Sequence, residues 1–391
     1  MSPGLRLVRD LAATAIALGW LQRAISLMVH LPGIPDVRDA KYDAQPLGSL
    51  TVVVPARDEA ANIEATLLSL LNQDMSALQI IAVNDRSVDS TGAIMARLAA
   101  ENPEKLHVLH ITELPAGWVG KQHAMAMAAA QSVSDWLLFT DGDVVFTPDA
   151  LRRAVACAEM TKTDHMVLAP TLEQRNPDEG IVLGFFLAAS LWSARPWKIP
   201  DPRAKRETIG VGAFNMVRRE AYESIGGFAA LPMEIVEDVR LGILLKRAGF
   251  TQRMVFGPGL VRVHWASGVS GLMGAMTKNM FAFFRYRPVM LLLGCVGLFL
   301  LCVAPFGWIF AGGALRYAGL ITAAAIVLIY RAFGRISRIS AWYAVLFPVG
   351  ALLMIFTLLR SMVMTWRQGG VLWRGTLYTL EELRENAGDF L

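Results

Sequence analysis

The chain has 391 residues, 54% of them apolar and only 18% charged, with a net charge of +4. Globular proteins average about 45–50% apolar and about 25% charged, so the composition departs from that of a purely water-soluble protein. On a soft prior of ~150 residues per domain, the length allows a folded domain plus an apolar part. Cys157, Cys295 and Cys302 make no disulfide framework. No lysine- or arginine-dense stripe points to nucleic acid. Phosphates and anionic lipid headgroups match the surplus cations better.

Residues 11–31 are apolar apart from Gln22, Arg23 and His30, and Pro32-Gly33-Ile34-Pro35 follows in place of a small-x-small cleavage site. This predicts a retained N-terminal anchor over 1–35. Strand-like and helical runs then alternate: strands at 50–54, 80–83, 106–110 and 136–139, and helices at 62–71, 90–100, 122–131 and 148–160. Such alternation predicts an α/β domain, placed at 36–270, with a mainly parallel sheet covered on both faces.

The informative polar residues follow the strands, where open α/β sheets bind ligands. Arg57-Asp58-Glu59 follows the first strand. Asp85 ends the second and can accept two hydrogen bonds from a base edge or a ribose. Ser87 and Asp89, just beyond, suit a cap of the next helix. Gly117-Trp118-Val119-Gly120-Lys121 is a glycine-bearing loop running into a helix, a setting that suits phosphate. The run 136–145 reads WLLFTDGDVV and closes on Asp141-Gly142-Asp143. Carboxylates at that spacing suit a hard divalent cation held jointly with substrate phosphates; a plain surface turn is the alternative. Glu237-Asp238 reads either as catalytic acids or as first-turn helix acids favoured by the dipole.

Residues 180–197 (GIVLGFFLAASLWSARPW) are apolar and aromatic but short for a span. They are expected to form an interfacial helix with Trp192 and Trp197 at headgroup level, with a core helix as the alternative. A basic interfacial segment is expected over 271–288, with Lys278, Arg285 and Arg287 facing lipid headgroups. Beyond it, 289–308, 317–330 and 341–359 are apolar runs within a membrane region assigned to 289–364. Arg331, Arg335 and Arg338 mark the loop between the last two as cytoplasmic. Residues 36–270 and a tail over 365–391, which carries Arg367 and Arg374, are assigned to the same side. Three full spans cannot return the tail to that side, so the segment around Pro348 is expected to be re-entrant or interfacial. The apolar runs lack the ionisable residues that mark a transporter pathway.

The motifs VVVPARDEAANI, VNDRSVDST, LPAGWVGK, FTDGDV and IVEDVRLG resemble, in order and spacing, the membrane-anchored family 2 glycosyltransferases of GT-A fold. The likeness is greatest to the hopene-associated and carotenoid-pathway glycosyltransferases, with ceramide glucosyltransferases more distant. It covers roughly 48–290, plus a tail motif Trp373-Arg374-Gly375-Thr376-x-Tyr378. It implies a Rossmann-like GT-A domain in which Pro55, Arg57 and Glu59 line a nucleotide pocket and Asp85 reads the base. Lys121 would face the diphosphate, Asp141 and Asp143 would hold ribose and Mg2+ or Mn2+, and Asp238, preceded by Glu237, would be the catalytic base. The implied activity is metal-dependent, inverting transfer from a nucleotide sugar, UDP-linked by expectation, to a membrane lipid such as a polyisoprenoid, hopanoid, carotenoid or glycolipid. The implied place is the cytoplasmic face of a bacterial-type plasma membrane. The Gln-x-x-Arg-Trp signature of processive polysaccharide synthases is absent, which weakens that reading. A non-catalytic nucleotide-sugar-binding scaffold would not need Asp141, Asp143 and Asp238 intact.

Overall fold

The structure is a computed structural model and describes residues 2–334 and 336–386. Arg335 and the end of the expected tail, 387–391, lie outside the described residues. The chain divides into two compact units. One comprises the chain up to Gly33, Leu172–Arg195 and Trp265–Gly369; the other comprises Ile34–Thr171, Pro196–His264 and the chain from Gly370. The contiguous division expected at 36–270 is thus replaced by a discontinuous one, with Leu172–Arg195 grouped among the apolar helices.

The second unit carries the strands β1 (Leu50–Ala56), β2 (Leu78–Asp85), β3 (Leu106–Ile111), β4 (Trp136–Phe139), β5 (Val144–Phe146), β6 (His165–Leu168), β7 (Thr171–Leu172), β8 (Asn215–Arg218), β9 (Gln252–Val255), β10 (Val261–Val263), β11 (Gly370–Trp373) and β12 (Thr376–Thr379). Seven of them form one sheet in the order β3-β2-β1-β4-β8-β6-β9. β1 runs parallel to both β2 and β4, and β8 is antiparallel to β4 and β6. Every residue of β1 is buried, as expected of a central strand covered on both faces. The strand order reverses about β1: β2 and β3 lie on one side and β4 on the other. Ligands bind at such a switch point, beyond the carboxyl ends of the strands. The register aligns Ala56 with Asn84 and Val53 with Phe139, so the segments after β1, β2 and β4 emerge at one edge. Helices Gly120–Gln131 and Glu237–Arg247 pack into the same core through Ala124, Ala128, Leu241 and Leu245. β11 and β12 form a hairpin turning at Arg374 and Gly375, both with positive φ. This is the backbone twist two-residue hairpin turns favour.

The first unit is helical. Four of its helices are long and apolar enough to cross a membrane, among the described residues: Pro3–Gly33, Pro288–Trp308, Ala314–Phe333 and Ala341–Gln368. Ala13 and Ala17 of the first pack on Leu315 and Ala318 of the third, small side chains that let backbones approach closely. Pro288–Trp308 is interrupted by a wide turn at Phe299–Val303, just before Pro305, whose missing N–H cannot continue the ladder. The helix Glu179–Ser193 departs from its interfacial expectation. Most of its length is buried, with Gly180 against the Tyr343 ring and Gly184 against Tyr330. Trp192 is not a headgroup anchor: its ring lies 5.3 Å from that of Trp20. Sequence alone does not distinguish an apolar face that meets lipid from one that meets protein.

Candidate active site

Each segment at the sheet edge is pinned by local bonds. After β1 the chain turns through Asp58, a non-glycine residue with positive φ. Ser87 accepts the Asp58 N–H (3.1 Å), and Asp58 in turn accepts the Val88 N–H (2.8 Å). Asp89 accepts the N–H groups of Thr91 and Ala60, so it caps the helix Thr91–Glu101 and staples it to the first loop. Asp85 is buried and its carboxylate is held by Arg86 at 2.7 and 3.0 Å. Gly120 sits directly beneath: a Cβ there would strike Asp85 and Arg86. The first-turn N–H of Gly120 donates to the Tyr378 hydroxyl (3.2 Å).

After β4, Thr140 donates to the Ala213 carbonyl (2.8 Å) and Thr66 to that of Gly142 (2.9 Å), which fixes the turn carrying Asp141 and Asp143. Lys121 reaches from its helix between two carboxylates, 2.6 Å from Asp141 and 2.6 Å from Glu237. Burial disfavours the ammonium, but the two carboxylates outweigh it and raise the Lys121 pKa. Burial, then the charges of Asp141 and Glu59, push the Asp143 carboxyl up to about 7. Gly212 leaves the room this needs, since a Cβ there would lie 2.8 Å from Asp141. Asp238, half-buried, accepts its neighbour Val239's N–H (2.8 Å). With Lys121, Thr140, Asn215 and Glu237 it lines one small cavity.

The expected residues therefore separate into two groups. Pro55, Arg57, Glu59, Asp85, Lys121, Asp141, Asp143, Glu237 and Asp238 all belong to the unit built on the sheet. Lys278 lies on the helix Gly268–Phe283 of the helical unit, and Arg285 follows in a left-handed turn. Trp197 sits in a short turn, Pro196–Lys198, of the sheet unit. Among the described residues no three acidic, histidine or cysteine side chains are gathered as a ready metal cage. A cation completed by substrate phosphates needs only one or two carboxylates, so Asp141 and Asp143 fit that role.

Sequence reasoning gave no role to the β11–β12 hairpin, although its motif stood out. Arg57 donates to Thr376 (3.2 Å), Arg374 to the Asp58 carbonyl (3.2 Å), and Arg374 pairs with Glu59. Arg86, at positive φ beside Asp85, was likewise unassigned.

A parallel sheet with carboxylates at its switch point and a glycine-started helix facing them defines a GT-A-like nucleotide-binding domain. The sequence model described as "Glycosyl transferase family 2" matches residues 51–226, which makes this a family 2 glycosyltransferase domain. The chain is 24% identical over 245 residues to a 4,4'-diaponeurosporenoate glycosyltransferase of Staphylococcus haemolyticus, covering 62% of this chain and 64% of that protein. It is 24% identical over 197 residues to one of Staphylococcus aureus, covering 50% of each. The chain thus spans only half to under two thirds of these curated relatives. The mannosyltransferase PcManGT from Pyrobaculum calidifontis, solved in complex with GDP-Man and Mn2+, shares the fold at a TM-score of 0.52 and 16% identity, over 91% of this chain and 98% of that one.

Proposed function

We propose that the chain transfers a sugar, with inversion, from a nucleoside diphosphate donor to the hydroxyl of a membrane lipid. The observation that carries this is Asp141, Lys121 and Glu237 joined at 2.6 Å spacings beside a half-buried Asp238, at the switch point of a family 2 domain. Asp85 and Arg86 offer a hydrogen-bonding edge to the base; Glu59 and Arg57 complete that wall. Lys121 keeps its charge and faces the diphosphate. Asp141 and Asp143 would hold Mg2+ or Mn2+, which when bound neutralises charge developing on the leaving diphosphate. Asp238 takes the proton of the acceptor hydroxyl as its oxygen bonds to the anomeric carbon. The bond from that carbon to the diphosphate breaks, and its electron pair leaves with the nucleotide.

A UDP-linked donor is the preferred reading from the sequence resemblance. A neighbour of the same fold binds GDP-Man, so both nucleotides belong in the assay. The relatives named for diaponeurosporenoate, together with four span-length helices, favour a polyisoprenoid-type acceptor at the cytoplasmic face. The test incubates membranes holding the full chain with labelled UDP- and GDP-sugars, with and without Mn2+, and extracts lipid. Label should enter the lipid fraction and be lost in Asp143→Asn. Label confined to water-soluble product, or retained in full by Asp143→Asn, contradicts the assignment.

A further inference from the structure

We propose that the helix Ala341–Gln368, though long enough to span, does not cross the bilayer. It lies along the membrane surface on the side of the glycosyltransferase domain, with one face in lipid. This rests on the reading that the apolar helices are membrane-embedded.

Chain parity comes first. Residues up to His264 and from Gly370 belong to the same water-facing unit. A chain that leaves one side at 264 and is back there at 370 crosses an even number of times. Three span-length helices, Pro288–Trp308, Ala314–Phe333 and Ala341–Gln368, lie between. One of them does not cross.

Side-chain exposure says which. In Ala341–Gln368 the exposed apolar residues are Val345, Val349, Leu352, Phe356, Val363 and Trp366, spaced by threes, fours and sevens along one stripe. The opposite stripe is buried and partly polar: Thr357, Ser361 and Thr365. Ser361 donates to the Thr277 carbonyl (2.5 Å) and accepts the Phe281 N–H (3.0 Å), which fixes that stripe on helix Gly268–Phe283. An apolar face opposite a protein-bound polar face suits a helix lying in the interface. Pro288–Trp308 differs: it exposes Val289, Met290, Leu292 and Leu293 in near succession, as a helix ringed by lipid does. Arg360 would also sit inside the hydrocarbon of a crossing helix, where charge is costly.

The ends of the helix agree. At its start, the Tyr343 hydroxyl donates to the Pro177 carbonyl (2.6 Å) and accepts from Gln174 (2.5 Å). Pro177 follows Thr171, where the chain leaves the water-facing unit, by a few residues, a reach of about 20 Å when fully extended. At its other end Gln368 is followed almost at once by Gly370 of that unit. Neither end has chain enough to stand across ~30 Å of hydrocarbon.

The test places single cysteines in the full chain by Val133→Cys, Gly312→Cys and Glu385→Cys, leaving the buried native cysteines in place. A membrane-impermeant maleimide is applied to sealed vesicles of each orientation. Positions 133 and 385 should react from one face and 312 from the other. If 385 reacts with 312, Ala341–Gln368 crosses and the proposal fails. If all three react in both orientations, the membrane reading itself fails. As a second measurement, spin labels at Val345→Cys, Leu352→Cys, Phe356→Cys and Val363→Cys report depth in the bilayer. A shallow, level profile supports the surface helix, and one peaking at 352–356 overturns it.

Discussion

Replacing Lys121 by methionine keeps the side chain's length and removes its charge. Two carboxylates then face the space the ammonium filled. Removing one member of a buried ion pair costs about 3–5 kcal/mol, because the partner is left uncompensated. Here the partners differ: the Glu237 side chain is 7% exposed and that of Asp141 is 40% exposed. Water screens Asp141, whose share falls to about 1 kcal/mol or less. Glu237 carries most of the cost, so Lys121→Met is expected to destabilise the sheet unit by about 3 kcal/mol. At roughly 2–4 °C per kcal/mol for a domain of this size, that lowers the melting temperature by about 6–12 °C. A divalent cation can enter between Asp141, Asp143 and Glu237 in the variant, so Mn2+ should restore more stability there than it adds to the parent. The assay is intrinsic-fluorescence melting of the detergent-solubilised full chain across a Mn2+ series. A variant that melts with the parent, or gains no more from Mn2+, would refute the view that Lys121 acts as the site's counter-cation.

Asp238→Asn should keep nucleotide affinity, measured by calorimetry, while lowering turnover by ~10²-fold or more, the scale of a positioned base; unchanged turnover would assign the proton to another group. Glu179 feels burial, which raises its pKa, but the backbone N–H groups of Gly268, Arg175 and Asn176 overcome this and bring it to about 2 from an ordinary 4.5. A depressed carboxyl stabilises fully above its ordinary value and loses that contribution as pH falls towards the folded one. The stability deficit of Glu179→Gln should therefore be largest near neutrality and shrink between about pH 4.5 and 2, read as urea midpoints against pH. Arg374→Ala removes a half-exposed pair with Glu59 worth up to ~1 kcal/mol; hydrogen exchange across Gly370–Thr379 should quicken several-fold, and unchanged protection would show the hairpin held by other contacts.

Where apolar runs were short and bounded by turns, the sequence was readable. Trp136–Phe139 and Leu106–Ile111 fall within a residue of expectation, because a doubly covered strand must be apolar throughout. The roles of Asp85, Asp141 and Asp143 were legible because strand ends in such sheets face the crevice. The partners of Lys121 were not, since Asp141 and Glu237 approach it only through tertiary packing. β8 carries four residues and no alternation, and β11–β12 finds its partners across 258 to 319 positions of sequence. The end of helix Ala341–Gln368 was placed too early because Arg360 reads as a flank; the structure carries the helix past it with the buried polar face turned to Thr277.

The hairpin has a consequence for biogenesis. Arg57 and Gly120 leave the ribosome long before Thr376 and Tyr378, and the four span-length helices include three made in between. A nascent chain halted after His264 holds every carboxylate of the site yet lacks one wall of it. Assembly of that wall thus waits on translation of Pro288–Gln368, so a copy that fails to integrate is also one whose pocket stays open. Completion of the site and insertion into the bilayer become successive steps of one synthesis, with the order set by position along the messenger.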